Sequence, residues 1–145
     1  MINRVYYLNQ IISKMWDGNI KVITGIRRCG KSTLLFELFY DYLIKSGVEE
    51  NNIIKIELDK RKYLKYRNPI TLCDYVENIV TNDKENKYYL FIDEVQLTNE
   101  VKDEESGIVV TIYDMLNELK GYPNLDCYVT GSNSKMLSSD IATEF

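Results

Sequence analysis

Eight residues, Gly25-Ile26-Arg27-Arg28-Cys29-Gly30-Lys31-Ser32, carry the spacing G-x-x-x-x-G-K-[ST] in full. Glycines at the two fixed positions let the backbone curl until successive N–H groups converge on a phosphate chain. A helix that starts near Lys31 adds the positive end of its dipole. Lys31 then reaches the β- and γ-phosphates, and the Ser32 hydroxyl completes the shell of a magnesium ion. Chance produces such an octet in about one chain of this length in two hundred. The sequence thus predicts a loop for a nucleoside triphosphate, Mg-ATP, in which residues 25–33, from Gly25 through Ile26, Arg27, Arg28, Cys29, Gly30, Lys31 and Ser32 to Thr33, line the phosphates.

A second signal lies about sixty residues on. Tyr88-Tyr89-Leu90-Phe91-Ile92-Asp93-Glu94 is an apolar run ending in two carboxylates. Parallel α/β sheets gather their ligand sites at the C-terminal ends of strands, so such an end can place a carboxylate beside the phosphate loop. Asp93 is the candidate magnesium ligand, acting through water, and Glu94 the candidate group that polarises the water attacking the γ-phosphate. Taken alone, an acidic pair at a strand end also describes a solvated turn. A weaker third element is Thr130-Gly131-Ser132-Asn133-Ser134, small polar residues after an apolar run, in which Asn133 or Ser132 could sense the γ-phosphate. The same residues also suit an ordinary turn.

These residues need a scaffold that brings strand ends together, and the apolar pattern supplies one. Short apolar runs at 20–24, 53–58, 88–92 and 125–130 read as strands, the third buried on both faces. Helical spacing appears at Val5, Leu8, Ile11, Ile12 and Met15. It recurs at Leu34, Leu35, Leu38, Phe39, Tyr42 and Leu43, then from Pro69 to about Thr81, and again at Ile112, Met115, Leu116 and Leu119. Residues 101–107 are polar and acidic and read as a loop. Alternating strands and helices predict an α/β fold with a mainly parallel sheet.

Composition narrows the chemistry. The chain has 145 residues, 45% hydrophobic and 28% charged, which suits a single globular domain. It has no histidine, which excludes Ser-His-Asp and Cys-His nucleophilic catalysis and leaves carboxylates, lysines and metal-bound water. Three widely spaced cysteines, Cys29, Cys73 and Cys127, form neither a disulfide framework nor a zinc set. No apolar run approaches the roughly 20 residues of a membrane span, and the N-terminus lacks the apolar stretch of a signal peptide, so a cytoplasmic protein without membrane contact is expected. The net charge of −4 argues against a non-specific coat on nucleic acid. It conceals +6 over residues 1–67 and −10 over 68–145, and Arg61, Lys62 and Lys65 read either as a solvated basic stretch or as a polyanion contact.

Beyond the bare loop, Ile23 to Thr33, the step Phe91-Ile92-Asp93-Glu94-Val95-Gln96 and the run Thr130 to Ser134 resemble the AAA-type ATPases of bacteria and archaea that carry a C-terminal domain of unknown function. The Asp-Glu-Val-Gln step and the Arg-Arg pair before the second glycine make the likeness more specific than a phosphate loop alone. It implies a three-layer P-loop NTPase core of AAA/ASCE type, with the first predicted strand between the fourth and a fifth, and a sensor residue after the fourth. The chain ends at Phe145, where an arginine-containing segment, a fifth strand and the C-terminal domain are expected. The expectation is therefore a core over residues 1–145, incomplete at its C-terminal end, with strand order 1-4-3-2, the fifth strand missing and the edge of strand 20–24 free for self-association.

Two functional classes stay open. One is an ATPase that turns ATP and water into ADP and phosphate to drive a conformational change. The other is a nucleotide-binding switch or assembly module that hydrolyses slowly for want of an arginine finger. Guanine reading is disfavoured, since Asn86-Lys87-Tyr88-Tyr89 lacks the aspartate of an Asn-Lys-x-Asp segment. The motif alone does not exclude a small-molecule kinase. No residue specifies a protein or DNA client.

Overall fold

The structure is a computed structural model that describes residues 4–24, 30–131 and, for the backbone, 142–144. Helix α1 (Arg4–Ser13) leads into strand β1 (Ile20–Ile23). A continuous helical rod follows, made of α2 (Lys31–Thr33), a π-helical stretch (Leu34–Phe39) and α3 (Tyr40–Lys45). Then come β2 (Ile53–Glu57), a 3₁₀ segment (Arg61–Arg67), α4 (Pro69–Thr81) and β3 (Tyr88–Asp93). Strands β4 (Val101–Lys102) and β5 (Val109–Val110) precede α5 (Ile112–Leu119), β6 (Leu125–Thr130) and β7 (Ala142–Glu144).

Five strands form one sheet in the order β2-β3-β6-β1-β7, with every neighbouring pair parallel. Successive side chains of a strand point to opposite faces, and the burial pattern follows that rule. Ile20, Val22, Leu90, Ile92, Leu125, Cys127 and Val129 pack under α4 and α5. Ile23, Tyr89, Phe91 and Tyr128 pack under α1 and the helical rod. Central strands therefore read as unbroken apolar runs, because both faces are covered. The order β2-β3-β6-β1 is the one the family resemblance implies for the four predicted strands.

The missing fifth strand is corrected by the structure. Residues 142–144 run parallel to β1, with Ile20 opposite Ala142 and Val22 opposite Glu144. Three residues suffice to pair the N–H and C=O groups that a free β1 edge would leave open. Strand β1 is thus interior, and the expectation of self-association through its edge loses its basis. Residues 101–107 also depart from the expected loop, since Val101 and Lys102 pair antiparallel with Val110 and Val109 in a small hairpin. Two-residue strands are too short to show alternation. The predicted helix after the loop is present over Lys31–Lys45, but its middle is wound as a π-helix.

The remaining helices start and stop as their residues dictate. Asn68 caps α4 by accepting from the Ile70 and Thr71 N–H groups, and Pro69 fills the first turn, where no donor is needed. At α5, Thr111 and Asp114 form a reciprocal capping box. No helix among the described residues is long and apolar enough to cross a membrane.

Candidate functional site

The site forms where the C-terminal ends of β3 and β6 meet the start of the helical rod. Asp93 shares its strand face with Tyr89 and Phe91, and Thr130 shares its face with Tyr128, so both side chains point toward the rod. Gly30 precedes the rod with φ 78° and ψ 97°, a region open to glycine and strained for other residues. A Cβ at Gly30 would lie 2.9 Å from Thr33 Oγ1, so the turn needs glycine on steric grounds as well. Leu34 N–H donates to Gly30 O at 3.0 Å, which starts the helical ladder at once.

Ser32, in the first turn, donates its hydroxyl to Asp93 Oδ1 at 2.7 Å and to Oδ2 at 2.9 Å. Asp93 is 5% exposed and receives a further hydrogen bond from Thr130 Oγ1 at 2.5 Å. Glu94 follows with φ 59° and ψ 54°, a left-handed conformation that turns the chain out of the strand. Its backbone N–H donates to Thr130 Oγ1 at 2.9 Å, and its Oε2 accepts from Gln96 Nε2 at 3.1 Å. Two neighbouring carboxylates are thereby aimed apart, Asp93 inward to Ser32 and Glu94 toward Gln96 in the 3₁₀ turn Val95–Leu97. On the far side, Leu58 N–H donates to Asp93 O at 3.3 Å, tying the end of β2 to β3, and Gly131 N–H donates to Ile23 O at 3.2 Å, tying the end of β6 to β1.

Lys31, Ser32 and Thr33 thus lie at the start of the rod, and Ser32 is joined directly to Asp93. Gly25, Ile26, Arg27, Arg28 and Cys29 lie outside the described residues, as do Ser132 and Asn133, the candidate sensors. A hydroxyl and a carboxylate in contact form an oxygen-only donor set, which suits magnesium and does not suit a soft metal. Ser32 and Asp93 are the residues that would hold such an ion.

Sequence reasoning placed Thr130 and Gln96 inside motifs but gave neither a role. Threonine at the end of a strand is ordinary β chemistry, and only the register that sets β6 beside β3 shows what its hydroxyl reaches. The basic stretch lies in the 3₁₀ segment, where Lys62 Nζ sits 5.1 Å from the Tyr63 ring centroid and Lys65 Nζ 5.1 Å from that of Tyr66.

Residues 17–145 match the AAA domain family. An uncharacterized protein of Haemophilus influenzae is 32% identical over 143 residues, covering 99% of this chain and 32% of that protein. The uncharacterized protein MJ1544 of Methanocaldococcus jannaschii is 30% identical over 134 residues, covering 90% of this chain and 25% of its own length. The chain therefore spans a third or less of the curated relatives it matches.

Among solved structures, Drosophila ORC bound to GC-rich DNA and Cdc6 is similar with a TM-score of 0.61 at 12% identity, over 98% of this chain and 54% of that one. C. elegans PCH-2 is similar with a TM-score of 0.54 at 15% identity, over 86% of this chain and 33% of that one. These likenesses concern the fold. The chain belongs to the AAA domain family, and its fold is that of the family's nucleotide-binding, ATPase-type module.

Proposed function

We propose that this chain binds Mg-ATP at residues 25–33 and hydrolyses it. The observation that carries the reading is the direct contact of Ser32 with Asp93 at the head of the helical rod, beside Glu94. Bound magnesium supplies positive charge that neutralises the phosphates. Lys31 would lie against the β- and γ-phosphates, and the N–H groups of the first turn would face the same anions. Ser32 and Asp93 would hold the ion, Asp93 through water. Glu94, turned out of the strand and steadied by Gln96, would accept a proton from the attacking water. Asn133 would stand near the γ-phosphate as sensor.

A melting experiment joined to phosphate release tests this. Saturation about a hundredfold above Kd contributes about 2.7 kcal/mol, which for a domain of this size is about 5–11 °C in Tm. Lys31→Ala should lose most of that shift, and an unchanged shift would remove Lys31 from the site. Glu94→Gln should keep the shift and lose turnover by about a hundredfold or more, the contribution of one general base. Hydrolysis at the parent rate in that variant would exclude Glu94 as the water-orienting group. A full thermal shift with no turnover in the parent would favour the nucleotide-binding switch.

A further inference from the structure

The Thr130 hydroxyl touches both acidic residues of the site, Asp93 at its carboxylate and Glu94 at its backbone N–H. We propose that Thr130 is a positioning residue that fixes the Asp93 carboxylate and the backbone turn at Glu94 as a single unit, so that the metal-holding and water-orienting groups cannot move independently. The inference rests on the roles given above to Asp93 and Glu94 and adds a third participant from a different strand.

Hydrogen-bond directions follow from the chemistry of the partners. A backbone N–H can only donate, so Thr130 Oγ1 accepts from Glu94 N at 2.9 Å. The hydroxyl proton is then left for the carboxylate, and it is donated to Asp93 Oδ1 at 2.5 Å. Thr130 is fully buried, so no water stands ready to replace either bond. Its branched Cβ restricts χ1, and its strand is flanked on both sides by parallel neighbours, so the hydroxyl has little freedom to swing away.

Both consequences bear on the reaction. Asp93 has two separate hydroxyl donors, Ser32 and Thr130, and the one from Thr130 would persist while Ser32 and Asp93 engage an ion. Glu94 holds a left-handed backbone that a non-glycine residue adopts only when its surroundings impose it, and the bond to Thr130 is one such constraint. Loosening Thr130 should therefore disturb the metal side and the water side together, and leave the phosphate loop alone.

Thr130→Val keeps the shape and removes the hydroxyl, whereas Thr130→Ser keeps the hydroxyl and removes a methyl. Both are compared with the parent as the full chain, after circular dichroism has established folding. Three quantities are read: affinity for ATP in EDTA, the gain in affinity on adding magnesium, and kcat. In Thr130→Val the EDTA affinity should stay within about twofold, while the magnesium gain and kcat each fall about 10- to 100-fold, the range expected for a hydrogen bond to a charged group. Thr130→Ser should stay within about threefold on all three, by the same reasoning.

Parent-like magnesium gain and kcat in Thr130→Val would overturn the proposal, as would equal losses in the Ser and Val variants. Should Thr130→Val not fold, Thr130→Ala takes its place, and failure of both to fold beside a well-folded Thr130→Ser shows that the hydroxyl holds the fold itself, which overturns a role confined to positioning the site. A parent chain without magnesium-dependent ATP binding overturns the proposed function itself. A failure confined to Thr130 leaves the parent active.

Discussion

Lys21 and Asp126 form an ion pair inside the sheet, with Nζ 2.5 Å from Oδ1 and side-chain exposures of 0% and 3%. Two buried charges are tolerated only when the remaining lone pairs and protons also find partners. Here they do. Lys21 also reaches Asp17 at 3.0 Å, and Asp126 accepts from the Trp16 N–H at 2.9 Å and from the Tyr128 hydroxyl. Asp126→Asn should leave the Lys21 ammonium under-compensated and cost about 3–5 kcal/mol, lowering Tm by about 10 °C or more. Calorimetry on the purified variant decides, and a drop of only a degree or two would mean that the pair is not a stability element.

A carboxyl on the opposite face should respond to pH in the reverse sense to a salt-bridged acid. Burial, then the charges of Glu77 and Asp74, hold the Glu118 carboxyl above its usual range. Glu77 and Glu118 converge with the Cys73 thiol within 4.8 Å, beside a cavity of about 260 Å³ between the hairpin and α4 and α5. Tyr122 donates its hydroxyl to Glu77, and that bond, followed by burial, pushes the phenol up to about 12. A raised acid binds its proton more tightly folded than unfolded. Its favourable contribution is complete below the unfolded value and is lost as pH rises through the folded one. Glu118→Gln should therefore melt above the parent near neutral pH, with the difference closing toward about pH 4, near the unfolded value of a glutamate. Tm profiles over that range test this, and a gap that does not change with pH would contradict it.

Gly131 packs closely against the turn that follows Glu94. A Cβ there would lie 3.2 Å from Val95 Cγ1 and 3.4 Å from Gln96 Oε1. Gly131→Ala should press on the Val95 side chain and through it on the turn that carries Glu94 and Gln96, costing about 1–3 kcal/mol of stability as local overpacking. If Glu94 orients water, steady-state hydrolysis should fall while the ATP-induced Tm shift stays at the parent value. A normal kcat in this variant would show that the packing of Gly131 against Val95 does not position Glu94.

The parts of the fold that were legible in the sequence are those in which burial imposes a pattern. β1, β2, β3 and β6 are apolar runs because both faces of a central strand are covered, and α4 begins at Pro69 because the first turn needs no N–H there. The π-helical stretch at Leu34–Phe39 was hidden, since Leu34, Leu35 and Phe39 are buried in a stripe that an α-helix would share. β7 and the Val101–Val110 hairpin are too short for periodicity to register. In the site, Ser32 and Asp93 were legible because each sits at a fixed place in a local motif. Thr130 and Gln96 were not, because their partners are set by strand register and by a left-handed turn at Glu94, neither of which a local motif encodes.

The position of β1 between β6 and β7 also governs where the molecule can yield. Its backbone is paired on both sides, so opening it means opening the sheet, and it belongs to the most cooperative unit of the chain. The Val101–Val110 hairpin is closed by two residue pairs of its own and lies at the low end of that scale. The strand leading into the phosphate loop is thus a fixed post, and thermal energy is spent first on the wall that faces Glu118.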